Sequence, residues 1–168
     1  RWELPLHFLP ELAESAHDHG LAFGCTPFDL EAVALLQPHV DFLKVASYEL
    51  PWLDLIRRCS GTGLPVMMSC GMADEPEIRA AVGAARDGGC EDLTVFHCVS
   101  NYPVARENCH LAAIGSLKNL LTRDFPAARI GWSDHSVDQG VITRAIDHWH
   151  CDAVEFHFDL EGAGEEFG

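Results

Sequence analysis

What most restricts the fold of this chain is a repeated alternation of short apolar runs with segments of helical spacing. The apolar runs are residues 21–24, 41–46, 65–68, 93–98, 129–132 and 153–158. After an opening helical segment at 10–19, stretches 29–36, 52–59, 75–86, 111–121 and 139–149 bring apolar residues back every three or four positions, as one face of a helix requires. Glycines follow three of these helices, at Gly20, at Gly61 and Gly63, and at Gly88-Gly89, where a left-handed or unhindered backbone ends a helix easily. Pro27 forbids continuation of the first ladder.

Most of the runs are continuously apolar, the pattern of strands buried on both faces of a parallel sheet. Parallel strands joined by helices form either a doubly wound sheet or a (β/α)₈ barrel. No GxGxxG or GxxxxGK[ST] follows any run, so the nucleotide-binding open sheet loses its usual support. The expected fold is therefore α/β, an incomplete TIM barrel with about six of the eight units of that fold, in one partial domain over residues 1–168. The chain starts at Arg1 and stops in a glycine- and glutamate-rich loop, so it reads as a piece of a longer protein.

In a barrel the working residues sit where strands end. Those positions carry Thr26, Lys44 with Ser47, Ser69, Ser100 with Asn101 and Tyr102, Ser133 with His135, and Glu155 with His157. Lys44 is one of two lysines and lies between Leu43 and Val45, so its ammonium is built into a strand. With a net charge of −15 the overall field repels anions, and a fixed local cation is what an anionic substrate would need. Ser47, Ser69 and Ser133 offer hydroxyls to the oxygens of such an anion. Of ten histidines, only His135 and His157 occupy neighbouring strand ends. Two imidazoles would leave a divalent ion with open positions, which suits Lewis-acid chemistry. His97 lies inside a run and reads as a core histidine, whereas His7, His17, His19, His39, His148 and His150 fall on exposed or partly packed stretches.

Composition removes other classes. Clustered Lys and Arg for a phosphate backbone are missing, so nucleic acid is not an expected partner. No apolar run approaches the roughly 20 residues that span a bilayer, and no signal-like start is present, so no membrane association is expected. Seven scattered cysteines without CxxC pairs read as small reduced hydrophobes of a cytoplasmic protein.

Six motifs in order then bring a family into view: Phe23-Gly24-Cys25-Thr26-Pro27-Phe28-Asp29, Phe42-Leu43-Lys44-Val45-Ala46-Ser47, Met68-Ser69-Cys70-Gly71-Met72, His97-Cys98-Val99-Ser100-Asn101-Tyr102-Pro103, Gly131-Trp132-Ser133-Asp134-His135-Ser136 and Glu155-Phe156-His157-Phe158. Together they resemble the strand-end motifs of the sialic acid synthase family, from Gly20 to about Leu160. The resemblance implies a transferase of carbohydrate biosynthesis, a barrel enzyme that condenses phosphoenolpyruvate with an N-acetylated aldose such as N-acetylmannosamine and releases phosphate. It implies that Lys44, Ser47, Ser69 and Ser133 hold the phosphoenolpyruvate, that Ser100 and Tyr102 line the sugar side, and that His135 and His157 bind Mn²⁺ or Mg²⁺. It also implies a homodimeric parent.

Phe156 stands where that family usually carries lysine, and residues 159–166 are an acidic variant of the family's loop. The family's first two barrel strands and its C-terminal antifreeze-like domain have no counterpart in these residues. Two other readings remain: a Schiff-base aldolase using Lys44 as nucleophile, and a non-catalytic fragment or binding module whose open sheet edges invite partners.

Overall fold

The computed structural model of the chain describes residues 4–158 and residue 160. Most of the acidic stretch at 159–166 thus lies outside the described residues. The elements are α1 (Leu9–Asp18), β1 (Gly24–Cys25), α2 (Leu30–Leu36), β2 (Phe42–Val45), α3 (Leu53–Ser60), β3 (Val66–Ser69), α4 (Glu75–Asp87), β4 (Leu93–Cys98), α5 (Ala112–Asp124), β5 (Arg129–Asp134), α6 (Gln139–Asp147) and β6 (Ala153–Phe156). Three of the helix starts are set by carboxylates that take otherwise unpaired backbone N–H groups. Asp29 caps α2 and Asp138 caps α6, while Asp74 and Glu77 cap α4 reciprocally, at 2.9 and 3.0 Å.

All six strands are parallel and their order in the sheet is their order in the chain. A doubly wound sheet would reverse direction somewhere along that order. With right-handed crossovers, an unreversed order lays every helix on one side, and successive helices from α2 to α5 do pack on one another. The core lies between sheet and helices. Leu43, Val45, Val66, Met68, Leu93, Val95, Ile130 and Trp132 face it from the strands, and Leu55, Ile56, Ala81, Val82, Ala85 and Ile114 meet them from the helices.

The opposite face is mixed, because alternate residues on the same strands are Lys44, Met67, Ser69, Thr94, Phe96, Cys98, Ser133 and Glu155. The runs that read as uniformly apolar therefore contain an alternation. It is hidden because Met67, Thr94 and Phe96 fill the lower part of this face with bulk. Two glycines make that bulk fit. A Cβ on Gly131 would stand 2.4 Å from the Phe96 ring and one on Gly24 would stand 2.1 Å from the Phe42 ring.

The sheet curves strongly toward this mixed face. Lys44 of β2 and Glu155 of β6 are four strand steps apart, which in a flat sheet is roughly 19 Å. Their charged atoms nevertheless lie 3.2 Å apart. A wall that curls this far is an incomplete barrel, as the alternation of elements predicts.

Of the element boundaries that differ from the sequence reading, three bear most on the site. The first strand is residues 24–25 rather than 21–24, because the Phe23 N–H is taken by the Asp41 carboxylate and the Leu21 N–H closes back on α1 through the Ala16 carbonyl. β5 extends two residues further, through Asp134, so Ser133 belongs to the strand and His135 directly follows it. β6 stops at Phe156, leaving His157 just beyond its end.

His97 packs as a core histidine on the helix side. Its Nε2 donates to the Cys109 carbonyl at 3.0 Å and its ring lies 5.2 Å from that of Trp132. Five of the seven cysteines are buried, and burial pushes the Cys59 and Cys109 thiols up to about 11 and Cys70 to about 12, so they pack as small apolar groups.

Two predictions follow from this packing. Gly131→Ala should destabilise the protein by about 1–3 kcal/mol in urea unfolding, and adding Phe96→Leu should recover part of the loss. Burial holds the His97 imidazole below the usual 6.5, so the folded state favours its neutral form. Its stabilising contribution is therefore complete above about 6.5 and is lost as pH falls through the lower folded value. An imidazole titration followed by NMR should show a His97 midpoint under 6.5, and a midpoint above it would contradict the packing.

Candidate active site

The curl of the sheet gathers strand ends around one cavity of about 240 Å³. Every residue given a role from the sequence lines it: Lys44, Ser47, Ser69, Ser100, Tyr102, Ser133, His135 and His157. Asn101, named with Ser100 and Tyr102 at the same strand end, does not; its side-chain amide donates to the Pro103 carbonyl at 3.0 Å. Those with a role arrive from the ends of five strands, β2 to β6. Lys44 points inward from β2, and Ser47 opens the short 3-10 turn (Ser47–Glu49) that follows. Ser69 is the last residue of β3, Ser100 and Tyr102 follow β4, and the imidazoles follow β5 and β6.

Lys44 is the cation of this cavity, with its side chain only 13% exposed. Its Nζ donates to Ser69 Oγ at 2.6 Å and pairs with Glu155 Oε1 at 3.2 Å, while Ser69 Oγ reaches Glu155 Oε2 at 3.5 Å. The ammonium is thereby fixed by two contacts and still faces the opening. Across the cavity, the Gly71 N–H donates to Ser47 Oγ at 3.1 Å. A Cβ on Gly71 would stand 2.6 Å from Ser100 Oγ and 2.7 Å from Cys98 Sγ, so only glycine leaves the two hydroxyls and the backbone this close together. A cation, hydroxyls and a backbone N–H converging from several sides suit a small polyanion.

The imidazoles form the other wall. His135 is 8% exposed, and its Nδ1 lies 2.7 Å from the Val99 carbonyl. A carbonyl only accepts, so Nδ1 carries the hydrogen and the neutral ring presents Nε2 as an acceptor. Burial, opposed by the Val99 contact, holds the His135 pKa below the usual histidine value, which keeps that acceptor unprotonated. The His135 and His157 ring centroids lie 5.4 Å apart, and Tyr102 packs against both, at 4.0 and 5.6 Å. An ion bonded at about 2.1 Å to both rings needs centroids no further apart than roughly 6.5 Å, and this pair meets that limit. Among the described residues no group of three or more His, Cys, Asp and Glu side chains is arranged to hold a metal, so any ion here would keep open positions.

Some participants carried no role in the sequence reading. Glu155 stood among the strand-end groups, yet its pairing with Lys44 joins residues far apart in the chain. Its position two residues before His157, within the run whose end was already read as a site position, was the available signal. Cys98 read as a small hydrophobe, but its thiol lies 3.1 Å from Ser47 Oγ and lines the cavity, as does Thr26. Phe156 lines it as well.

Comparison with known proteins agrees with the motifs. Residues 1–166 match the sequence profile described as the NeuB family. The chain belongs to that family. Among curated relatives, this NeuB-family chain is 36% identical over 153 residues to an uncharacterized protein of Methanocaldococcus jannaschii, covering 90% of the chain and 43% of the relative. It is 30% identical over 160 residues to the N,N'-diacetyllegionaminic acid synthase of Legionella pneumophila, covering 92% and 43%. The chain therefore spans less than half the length of these relatives. The crystal structure of an N-acetylneuraminic acid (sialic acid) synthetase from Leptospira borgpetersenii, in complex with citrate, superposes with a TM-score of 0.86 at 27% identity, covering 98% of this chain and 56% of that one.

The contact between β2 and β6 can be measured directly. A double-mutant cycle of Lys44→Met and Glu155→Gln should give a coupling of about 1 kcal/mol, discounted for the half-exposed carboxylate yet above the few tenths of many surface pairs. A coupling of zero would mean that these two strand ends do not meet.

Proposed function

We propose that the protein carrying this chain condenses phosphoenolpyruvate with an N-acetylated amino-sugar aldehyde to give a nonulosonic acid, releasing phosphate. The observation that carries this reading is the convergence of Lys44, Ser47, Ser69, Ser100 and Ser133 with the His135–His157 pair on one cavity. Family membership supports it, and so do the names of the relatives, which are synthases of different acids of this kind. The acceptor is thus assigned as a class, an amino-sugar aldehyde.

In this reaction the C3 carbon of phosphoenolpyruvate bonds to the aldehyde carbon, water adds at C2, and phosphate leaves. Lys44 and the serine hydroxyls hold the phosphate and carboxylate, which the protein's net charge of −15 would otherwise repel. Glu155 and Ser69 keep the Lys44 ammonium in place. His135, with its tautomer set by Val99, and His157 would hold a divalent Mn²⁺ or Mg²⁺ ion, which when bound polarises the aldehyde. Tyr102 packs on both rings and orients them toward the sugar side.

A Schiff-base aldolase is not favoured, because Lys44 is held as a cation by Glu155, whereas an imine-forming lysine must present a neutral amine. The reading includes an eight-strand barrel completed by chain outside these residues, a homodimer and a cytoplasmic location. Among the described residues no helix is long and apolar enough to cross a membrane.

The test is phosphate release by the full-length protein. Release should require phosphoenolpyruvate, N-acetylmannosamine or a related acceptor, and Mn²⁺ or Mg²⁺ together. His135→Ala with His157→Ala should lower kcat by roughly 100-fold or more. Lys44→Met should raise KM for phosphoenolpyruvate by roughly tenfold or more, the loss of one charged contact. Metal-independent turnover, or imine trapping by borohydride, would overturn the proposal.

A further inference from the structure

A separate cavity, of about 540 Å³, lies on the helix side of the wall, between the start of α5 and α6, and shares no lining residue with the cleft at the strand ends. Its volume falls within the roughly 300–1,000 Å³ of small-molecule sites. One part of its wall is cationic. Arg106, His110 and Arg144 line it, and Glu107 is the one carboxylate among the described lining residues, so the wall is positive in a chain of net charge −15. Arg106 is held in place, because its Nε and Nη2 reach Asp138 Oδ2 at 2.7 and 2.6 Å, and its Nη1 is left to donate elsewhere. Arg144 is exposed on α6 and makes no ion pair among the described residues. The other part of the wall is aromatic and apolar. Trp149 is partly buried against the core, and its six-membered ring lies over the first turn of α5, where a Cβ on Gly115 would stand 3.4 Å away. Leu111 and Val141 continue that surface. His110 also holds φ at +47°, a left-handed conformation that residues other than glycine seldom adopt and that collects at ligand-binding positions.

We infer that this cavity is a second binding site, outside the catalytic cleft, for a nucleoside monophosphate, with the phosphate on Arg106 and Arg144 and the base against Trp149. The inference stands apart from the proposed condensation. Charge and shape support it. A guanidinium presents a planar fork of donors that matches phosphate oxygens, and it stays charged at any physiological pH. The field of the rest of the chain repels anions, so the two arginines supply here the local cation that an anionic ligand needs. Inorganic phosphate or a sugar phosphate would use the arginines and leave the indole and its apolar neighbours facing water. A flat base covers them, because every base has a face that stacks on an aromatic ring. A neutral nucleoside would leave Arg144 without an anion. A triphosphate would bring more negative charge than two guanidiniums offset, beside the Glu107 carboxylate.

The experiment titrates the full-length protein calorimetrically with AMP, CMP, GMP and UMP, with and without excess phosphoenolpyruvate. At least one of the four should bind with a Kd below about 1 mM, and its nucleoside and inorganic phosphate should each bind at least about tenfold more weakly. Excess phosphoenolpyruvate and the cleft variant Lys44→Met should leave that affinity unchanged. Arg144→Gln should weaken the nucleotide by about tenfold or more, the loss of one charge-assisted contact, without lowering the thermal midpoint, since the side chain is exposed. Trp149→Leu should weaken it about tenfold, and Trp149→Phe, which keeps an aromatic face, should recover most of the loss. Absence of binding by all four nucleotides would overturn the inference, and so would an unchanged affinity in Arg144→Gln. Displacement by phosphoenolpyruvate, or loss of binding in Lys44→Met, would put the nucleotide in the catalytic cleft and overturn it as well.

Discussion

The structure depends on the curvature that brings β2 against β6. In a flat parallel sheet of this order, Lys44 and Glu155 could not meet, and the strand ends would form a row instead of a ring. Curvature places them 3.2 Å apart, with Ser69 between them. The bend in turn needs room on the concave side, where large rings must fit as the wall closes. Gly24 beneath Phe42 and Gly131 beneath Phe96 supply that room. Two residues without side chains, neither of them lining the cavity, therefore help to determine whether the cavity exists.

Electrostatics explains why so few groups suffice. A chain with 26 acidic and 11 basic residues repels anions over most of its surface, and a single largely buried lysine reverses this at one place. A cation in a wall needs a counter-charge, and Glu155 provides it without closing the opening. The histidine side works by a different means. Burial and the Val99 carbonyl keep His135 neutral and aim its remaining lone pair into the cleft. One cleft thus presents a charged end, an imidazole pair in the middle, and an apolar end beyond it.

The site was legible in the sequence to an unusual degree because a barrel converts strand ends into site positions. Once the six runs were placed, Lys44, the serines, Tyr102 and the two histidines could be named without knowing any distance. The same logic set His97 apart as a core residue, since it lies within a run and on the helix side. It did not assign Cys98 or Glu155. A thiol in an apolar run looks the same whether it faces helices or a cavity, and a glutamate at a strand end carries no mark of its partner. The early placement of the first strand failed for a related reason. Leu21 to Phe23 is apolar enough to pair, but the Asp41 carboxylate and the end of α1 take the backbone N–H groups that a ladder would use.

Periodicity, breakers and caps are local, and they alone determined the order of elements, the parallel sheet and the set of polar groups at its ends. How far the sheet bends, which carboxylate meets Lys44, which tautomer His135 adopts and how the cleft divides into polar and apolar halves were decided only by tertiary structure. Each of these depends on the distance between residues on different strands. That distance is set by how side chains of different bulk pack across the curved wall, and no short stretch of sequence contains both sides of that contact.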